Sequence, residues 1–122
     1  MIVLALLAAA ASPNPGWNCK EPVAQQEMNW CAAEEFRSAD AALNVQWKQT
    51  AAAMKTRDAE DAPGYYATLL DAQRAWLKYR DAHCTSAGYL FRGGSMEPLL
   101  VATCRTRLTQ ERTTQLNDLI GQ

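Results

Sequence analysis

The chain has 122 residues, a formal net charge of −1 and 48% hydrophobic residues. That length holds one domain around one core. The near-neutral charge excludes both the basic footprint of a nucleic-acid binder and a strongly acidic decoy, and it names no partner.

Residues 1–11 (MIVLALLAAAA) form an apolar run. It is too short for a bilayer span, which needs about 20 residues. It fits the core of a Sec-type signal peptide, with small-x-small cleavage sites in its alanines and cleavage expected after Ala10 or Ala11. No Lys or Arg precedes the run, which is atypical, and the alternative is an N-terminal helix of the mature fold. The expected division is a signal peptide over 1–11, an N-terminal segment over 12–22 and a helical domain over 23–122. Cys19 follows Gly16, Trp17 and Asn18, and Trp17 and Asn18 do not suit a lipid-anchoring site. A protein of the periplasm or the cell exterior, without a membrane span, is expected.

The first long helix is expected over about 25–57. Met28, Ala32, Phe36, Ala39, Leu43, Trp47, Ala51 and Met54 recur there at spacings of three and four, one face of an α-helix. The stretch 58–64 (DAEDAPG) breaks it, with Asp61 a candidate cap for the next helix and Pro63 suited to a first turn. The second helix is expected over about 62–87, with Tyr66, Leu69, Leu70, Trp76, Leu77 and Cys84 on one face. A glycine-rich loop, 88–95 (GYLFRGGS), leads to a third helix over about 96–120, with Ser95 a plausible N-cap. Val101, Cys104, Leu108, Leu116 and Leu119 form its stripe, and Gly121 suits its close. Strand-like alternation is lacking, so the pattern predicts an all-α, antiparallel three-helix domain.

Four cysteines behind an export leader read as two disulfides, for which three connectivities exist. Cys84 and Cys104 flank the glycine loop of an antiparallel hairpin and would face each other, which favours Cys84–Cys104 with Cys19–Cys31. The latter closes only if the segment before the helix folds back, or if the helix starts near Gln25. No C-x-x-C motif is present and His83, the single histidine, adjoins Cys84, so no metal or other cofactor is expected.

Several polar residues lie on or beside the apolar stripes: Asp40 and Asn44 on the first helix, Gln73 and Arg80 on the second, Arg112 on the third. A buried charge needs a partner. Asp40 is the leading candidate for Arg80, and Glu27 for Arg112. The network would fix helix register; the alternative is a polar pocket.

Three motif groups carry a resemblance. Glu27-Met28-Asn29-Trp30-Cys31-Ala32 with Ala39-Asp40-Ala41-Ala42-Leu43-Asn44 is the first. Ala72-Gln73-Arg74-Ala75-Trp76-Leu77-Lys78-Tyr79-Arg80-Asp81-Ala82-His83-Cys84 is the second. Gly94-Ser95, Cys104, and Leu108-Thr109 through Arg112-Thr113 to Leu116 complete the set. In this order they resemble the lysozyme-inhibitor LprI-like N-terminal domain, over about 19–119. The resemblance implies an exported, disulfide-bonded helical domain of the bacterial envelope and a role in inhibiting lysozyme by non-covalent binding.

Lysozymes of the well-studied kind cleave glycan with two carboxyl groups in a cleft. A protruding loop offering a cation or hydroxyl could block them. The candidate is 89–95, with Tyr89, Phe91, Arg92 and Ser95, stiffened by a disulfide at its base. The plainer reading makes it a helix connection with Tyr89 and Phe91 in the core. A second class is a structural or adaptor module that binds an envelope protein or peptidoglycan without inhibiting anything, for which exposed Trp17, Trp30 or Trp47 would be the marker. Catalysis is not expected: Glu34 and Glu35 point apart on a helix, and His83 has no evident nucleophile beside it.

Overall fold

The computed structural model describes residues 14–121, so the apolar run and its cleavage point lie outside the described residues. Three helices account for the domain: α1 (Gln25–Glu60), α2 (Tyr65–Gly88) and α3 (Glu97–Asp118), with a 3₁₀ turn at Tyr89–Phe91. No strand occurs among the described residues. Helix α1 is 36 residues long, about 54 Å at 1.5 Å per residue.

Helices α1 and α3 run parallel and α2 runs antiparallel to both. The register of the parallel pair is held at two points. Near the top, the Asn29 side-chain amide donates to the Ser95 carbonyl (2.8 Å). Near the bottom, the buried Thr50 hydroxyl donates to the Leu116 carbonyl (2.9 Å). Both contacts join residues 66 apart in sequence, so the helices keep step over the intervening turns.

The apolar stripes meet in two clusters. Leu43, Met54, Leu69 and Leu116 form the lower one, flanked by Trp47, Tyr66, Trp76 and Ile120. Cys84, Cys104 and Leu108 form the upper one. Leu77 and Leu119, placed on stripes by periodicity, are 37% and 43% exposed, because three helices leave the flanks of each apolar arc uncovered.

Both disulfides are those the spacing favours, Cys19–Cys31 and Cys84–Cys104, each with Cα atoms 5.4 Å apart. The first closes because α1 begins at Gln25 and the preceding segment also turns back along it. Glu27 holds that segment: its Oε1 accepts from the Asn18 N–H, and its Oε2 from the Val23 and Ala24 N–H groups. Trp17 lies edge-on to Trp30, ring centroids 6.1 Å apart.

Two expected caps are replaced. Asp61 does not cap α2. Asp58 does, its carboxylate accepting from the Tyr65 N–H (2.8 Å) and the Tyr66 N–H (3.3 Å), with Gly64 at φ +128° giving the chain a reversal that L side chains rarely adopt. Asp61 instead accepts from the Tyr65 hydroxyl (2.7 Å), which raises the Tyr65 pKa above 10.0. Ser95 does not cap α3; Met96 holds that position, and the Glu97 N–H reaches the Gly94 carbonyl.

Gly88 lies where α2 and α3 converge below the loop. A Cβ there would stand 2.6 Å from Val101 Cγ2 and 3.3 Å from Glu97 Cγ. Val101 is β-branched and stiff, so it cannot swing away cheaply. Gly88→Ala is therefore expected to cost about 1–3 kcal/mol, as overpacking does. Val101→Ala in the same chain is expected to recover much of the loss, a coupling that a urea-unfolding double-mutant cycle would read.

Candidate functional site

The upper end of the domain carries the glycine loop. The Arg92 N–H donates to the Tyr89 carbonyl and the Gly94 N–H to the Phe91 carbonyl, while Gly93 takes φ +77°. These short-range bonds turn the side chains outward. Tyr89 is 50% exposed, Leu90 82% and Phe91 46%. The placement of Tyr89 and Phe91 in the core is thus corrected: a 3₁₀ turn of three residues has too little length to fold both rings back between the helices. The Arg92 guanidinium covers the Tyr89 ring, Cζ 4.4 Å from its centroid. Ser95 is exposed, and its carbonyl is tied to Asn29. Below the tip, the Cys84–Cys104 bond crosses between α2 and α3.

Beside the tip lies a cleft of about 400 Å³ lined by Phe36, Tyr89, Glu97, Pro98, Val101 and Arg105, among others. Two buried atoms on its walls have no hydrogen-bond partner, Glu97 Oε2 and Arg105 Nε. The Arg105 nitrogen lies 3.5 Å from Asp81 Oδ1 as an ion pair.

The polar residues on the stripes form two clusters. In the upper one Arg80, 7% exposed, lies between the Phe36 and Trp76 rings, Cζ 5.2 Å from each centroid. Its Nη1 donates to Asp40 Oδ1 (3.4 Å) and to the buried Thr109 hydroxyl (3.3 Å), and its Nε to Asp81 Oδ1 (3.0 Å). Asn44 borders the shallow recess that Asp40, Gln73 and Arg80 line. In the lower cluster Arg112 donates from Nε to the buried Gln73 Oε1 (2.9 Å) and from Nη1 to Gln115 Oε1 (3.2 Å). Burial lowers the Arg112 pKa.

Glu27 is not the partner of Arg112. It is committed to backbone N–H groups at the top of α1, while Arg112 sits near the bottom of α3. Sequence reasoning missed Thr50 and Thr109, both fully buried. The available signal was spacing: Thr50 continues the 43, 47, 54 stripe, and Thr109 stands three residues before Arg112.

Trp17, Trp30 and Trp47 are each half-buried. The first two pack on each other, and Trp47 lies 6.5 Å from Tyr66, centroid to centroid. None gives the exposed marker of the adaptor class. Among the described residues no cluster of three metal-ligating side chains is present, and no helix is long and apolar enough to cross a membrane.

The fold and the disulfides define a small all-α domain with two disulfides and an apolar tip carried on one of them. The chain belongs to the LprI family: the family described as "Lysozyme inhibitor LprI" matches residues 18–116. It is similar to uncharacterized protein R02472 of Rhizobium meliloti (strain 1021), with 42% identity over 125 residues covering 98% of this chain and 90% of that protein. No solved structure matches the chain.

Proposed function

We propose that the chain is an exported bacterial envelope protein that inhibits a lysozyme by non-covalent binding through the tip 89–95, without catalysis of its own. The observation that carries the reading is the conjunction of the family match with an apolar tip, Tyr89-Leu90-Phe91, presented to solvent. Three adjacent exposed apolar side chains have no role in this domain's core, and such groups anchor interfaces. The Cys84–Cys104 staple lowers the ordering cost of binding. Arg92 offers the cation that a carboxylate-lined cleft would accept. Two disulfides and an apolar leader support a periplasmic or secreted location.

The test is a cell-wall lysis assay in which the oxidised mature chain is titrated against lysozymes of several structural classes. Inhibition of at least one is expected. Leu90→Asp should weaken it by about 10–100-fold, the effect of a charge in an apolar anchor, with an unchanged melting curve because Leu90 is exposed. Arg92→Ala with Ser95→Ala should weaken it less. Full inhibition by all of these variants would rule out the tip.

A further inference from the structure

At the opposite end from the tip, the α1–α2 turn, the end of α3 and the first turns of α2 enclose a groove of about 570 Å³, lined by Met54, Pro63, Tyr65, Leu69, Leu119 and Arg112 among others. Its size lies within the range of small-molecule sites, and its walls are mainly apolar, as such sites are. Tyr65 and Leu119 on its walls are 39% and 43% exposed.

Two cations border this surface: Arg57, which donates to the Leu119 carbonyl and to Met54 Sδ, and Arg112 on the groove wall. Arg112 is half-buried and donates only to two neutral amides, Gln73 and Gln115. Among the described residues no carboxylate stands within ion-pair distance of it. The contrast is with Arg80, which has Asp40 and Asp81. A guanidinium removed from water and held by amides alone keeps its positive charge uncompensated, and an anion is the group that would complete it. Asp61 also lines the groove, but it is exposed and already accepts the Tyr65 hydroxyl.

We propose that this groove binds a single-chain amphiphile with a carboxylate head, its alkyl chain lying on Met54, Pro63, Leu69 and Leu119 and its carboxylate meeting Arg112. The alkyl chain follows from the walls. The apolar walls at Met54, Leu69 and Ala72 are helix, whose backbone groups are spent internally, so an extended peptide would find few partners for its amides there, whereas a hydrocarbon needs none. A carboxylate follows from Arg112, whose planar fork pairs with it in two-point fashion. The site is remote from the tip and independent of lysozyme binding.

The experiment is calorimetric titration of the oxidised chain with sodium decanoate below its micelle concentration, with butyrate and decyltrimethylammonium as comparators. Saturable one-to-one binding of decanoate is expected, with none for butyrate and about tenfold or weaker binding for the cationic amphiphile, the effect of exchanging one charge-assisted contact for a repulsion. Arg112→Gln should weaken decanoate about tenfold. Thr68→Trp, which fills the groove from an exposed position and leaves Arg112 in place, should abolish binding, and circular dichroism would establish that both variants fold. Amide shift changes on decanoate addition should centre on 61–72 and 112–119. Absence of saturation, equal affinity for both amphiphiles, or shifts centred on 89–95 would overturn the proposal. The wild-type measurements decide it even if Arg112→Gln fails to fold.

Discussion

Replacing Arg80 by alanine is expected to destabilise the domain by about 2–4 kcal/mol, as much as truncating a core leucine. Three losses combine. The guanidinium fills the space between Phe36 and Trp76, so its removal leaves a cavity in a layer where both rings have fixed positions. The Thr109 hydroxyl, fully buried, loses its donor from Arg80. Asp40 loses its counter-charge, while Asp81 keeps Arg105; the two carboxylate side chains are 41% and 50% exposed, and water screens that part of the cost. The ion pairs are therefore the smaller share and packing the larger.

That apportionment is testable by choice of substituent. Arg80→Met keeps a long side chain between the rings and drops the charge; it should recover most of the loss, because a well-packed apolar replacement of a buried ion pair is often tolerated. Arg80→Lys keeps the charge and drops the planar stack, and should stay well below wild type. Asp40→Asn should cost about 1 kcal/mol or less. Urea unfolding of the four variants reads the order. A lysine variant as stable as wild type with a methionine variant as unstable as alanine would show that charge, not stacking, holds this layer.

The same layer shows how far the residues could be read without coordinates. A charge on an apolar stripe demands an opposite charge on a facing helix, and Asp40 lies at the height where an antiparallel α2 brings Arg80. The helices were legible for a similar reason, since stripes of spacing three and four cannot be buried any other way. Pairing Glu27 with Arg112 failed because α1 and α3 run parallel and in step. With the offset of 66 residues, Arg112 is level with Gln46, about five turns below Glu27. Register between parallel helices is set by the length of everything between them, which no local pattern reports. The caps failed more locally. Asp58 and Asp61 are equivalent as residue types, and the choice between them rests on the φ of Gly64, a tertiary outcome. The tip was legible as a loop of glycines, but the exposure of Tyr89 and Phe91 was not, since aromatic composition points inward and only the short 3₁₀ turn points it out.

The two disulfides are expected to differ sharply in what they hold. Cys84 is fully buried and Cys104 is 7% exposed, in the upper core against Leu108. Cys19 is exposed and Cys31 only half-buried. Thiolate attack needs access to a sulfur. Mild reductant should therefore open Cys19–Cys31 in the native state, and open Cys84–Cys104 only when the domain unfolds. Loop-closure entropy alone would make the staples nearly equal, about 3 kcal/mol each for loops of this length. That equality fails if the segment before α1 can detach by itself. Glu27 and the Trp17–Trp30 contact then hold it, so losing its disulfide releases a local segment and leaves the core's own unfolding little changed. The Cys84–Cys104 pair has no such escape, because both residues belong to helices that unfold with the core. Cys84→Ala with Cys104→Ala is expected to lower the melting temperature on the order of 10–20 °C and to speed amide exchange over 89–95, where the tip loses its base. Cys19→Ala with Cys31→Ala should lower it by a few degrees at most and leave exchange at the tip unaltered. Equal drops in melting temperature would mean that the N-terminal segment unfolds only with the helices, and the one-staple account of tip rigidity would have to give way to a domain braced from both ends.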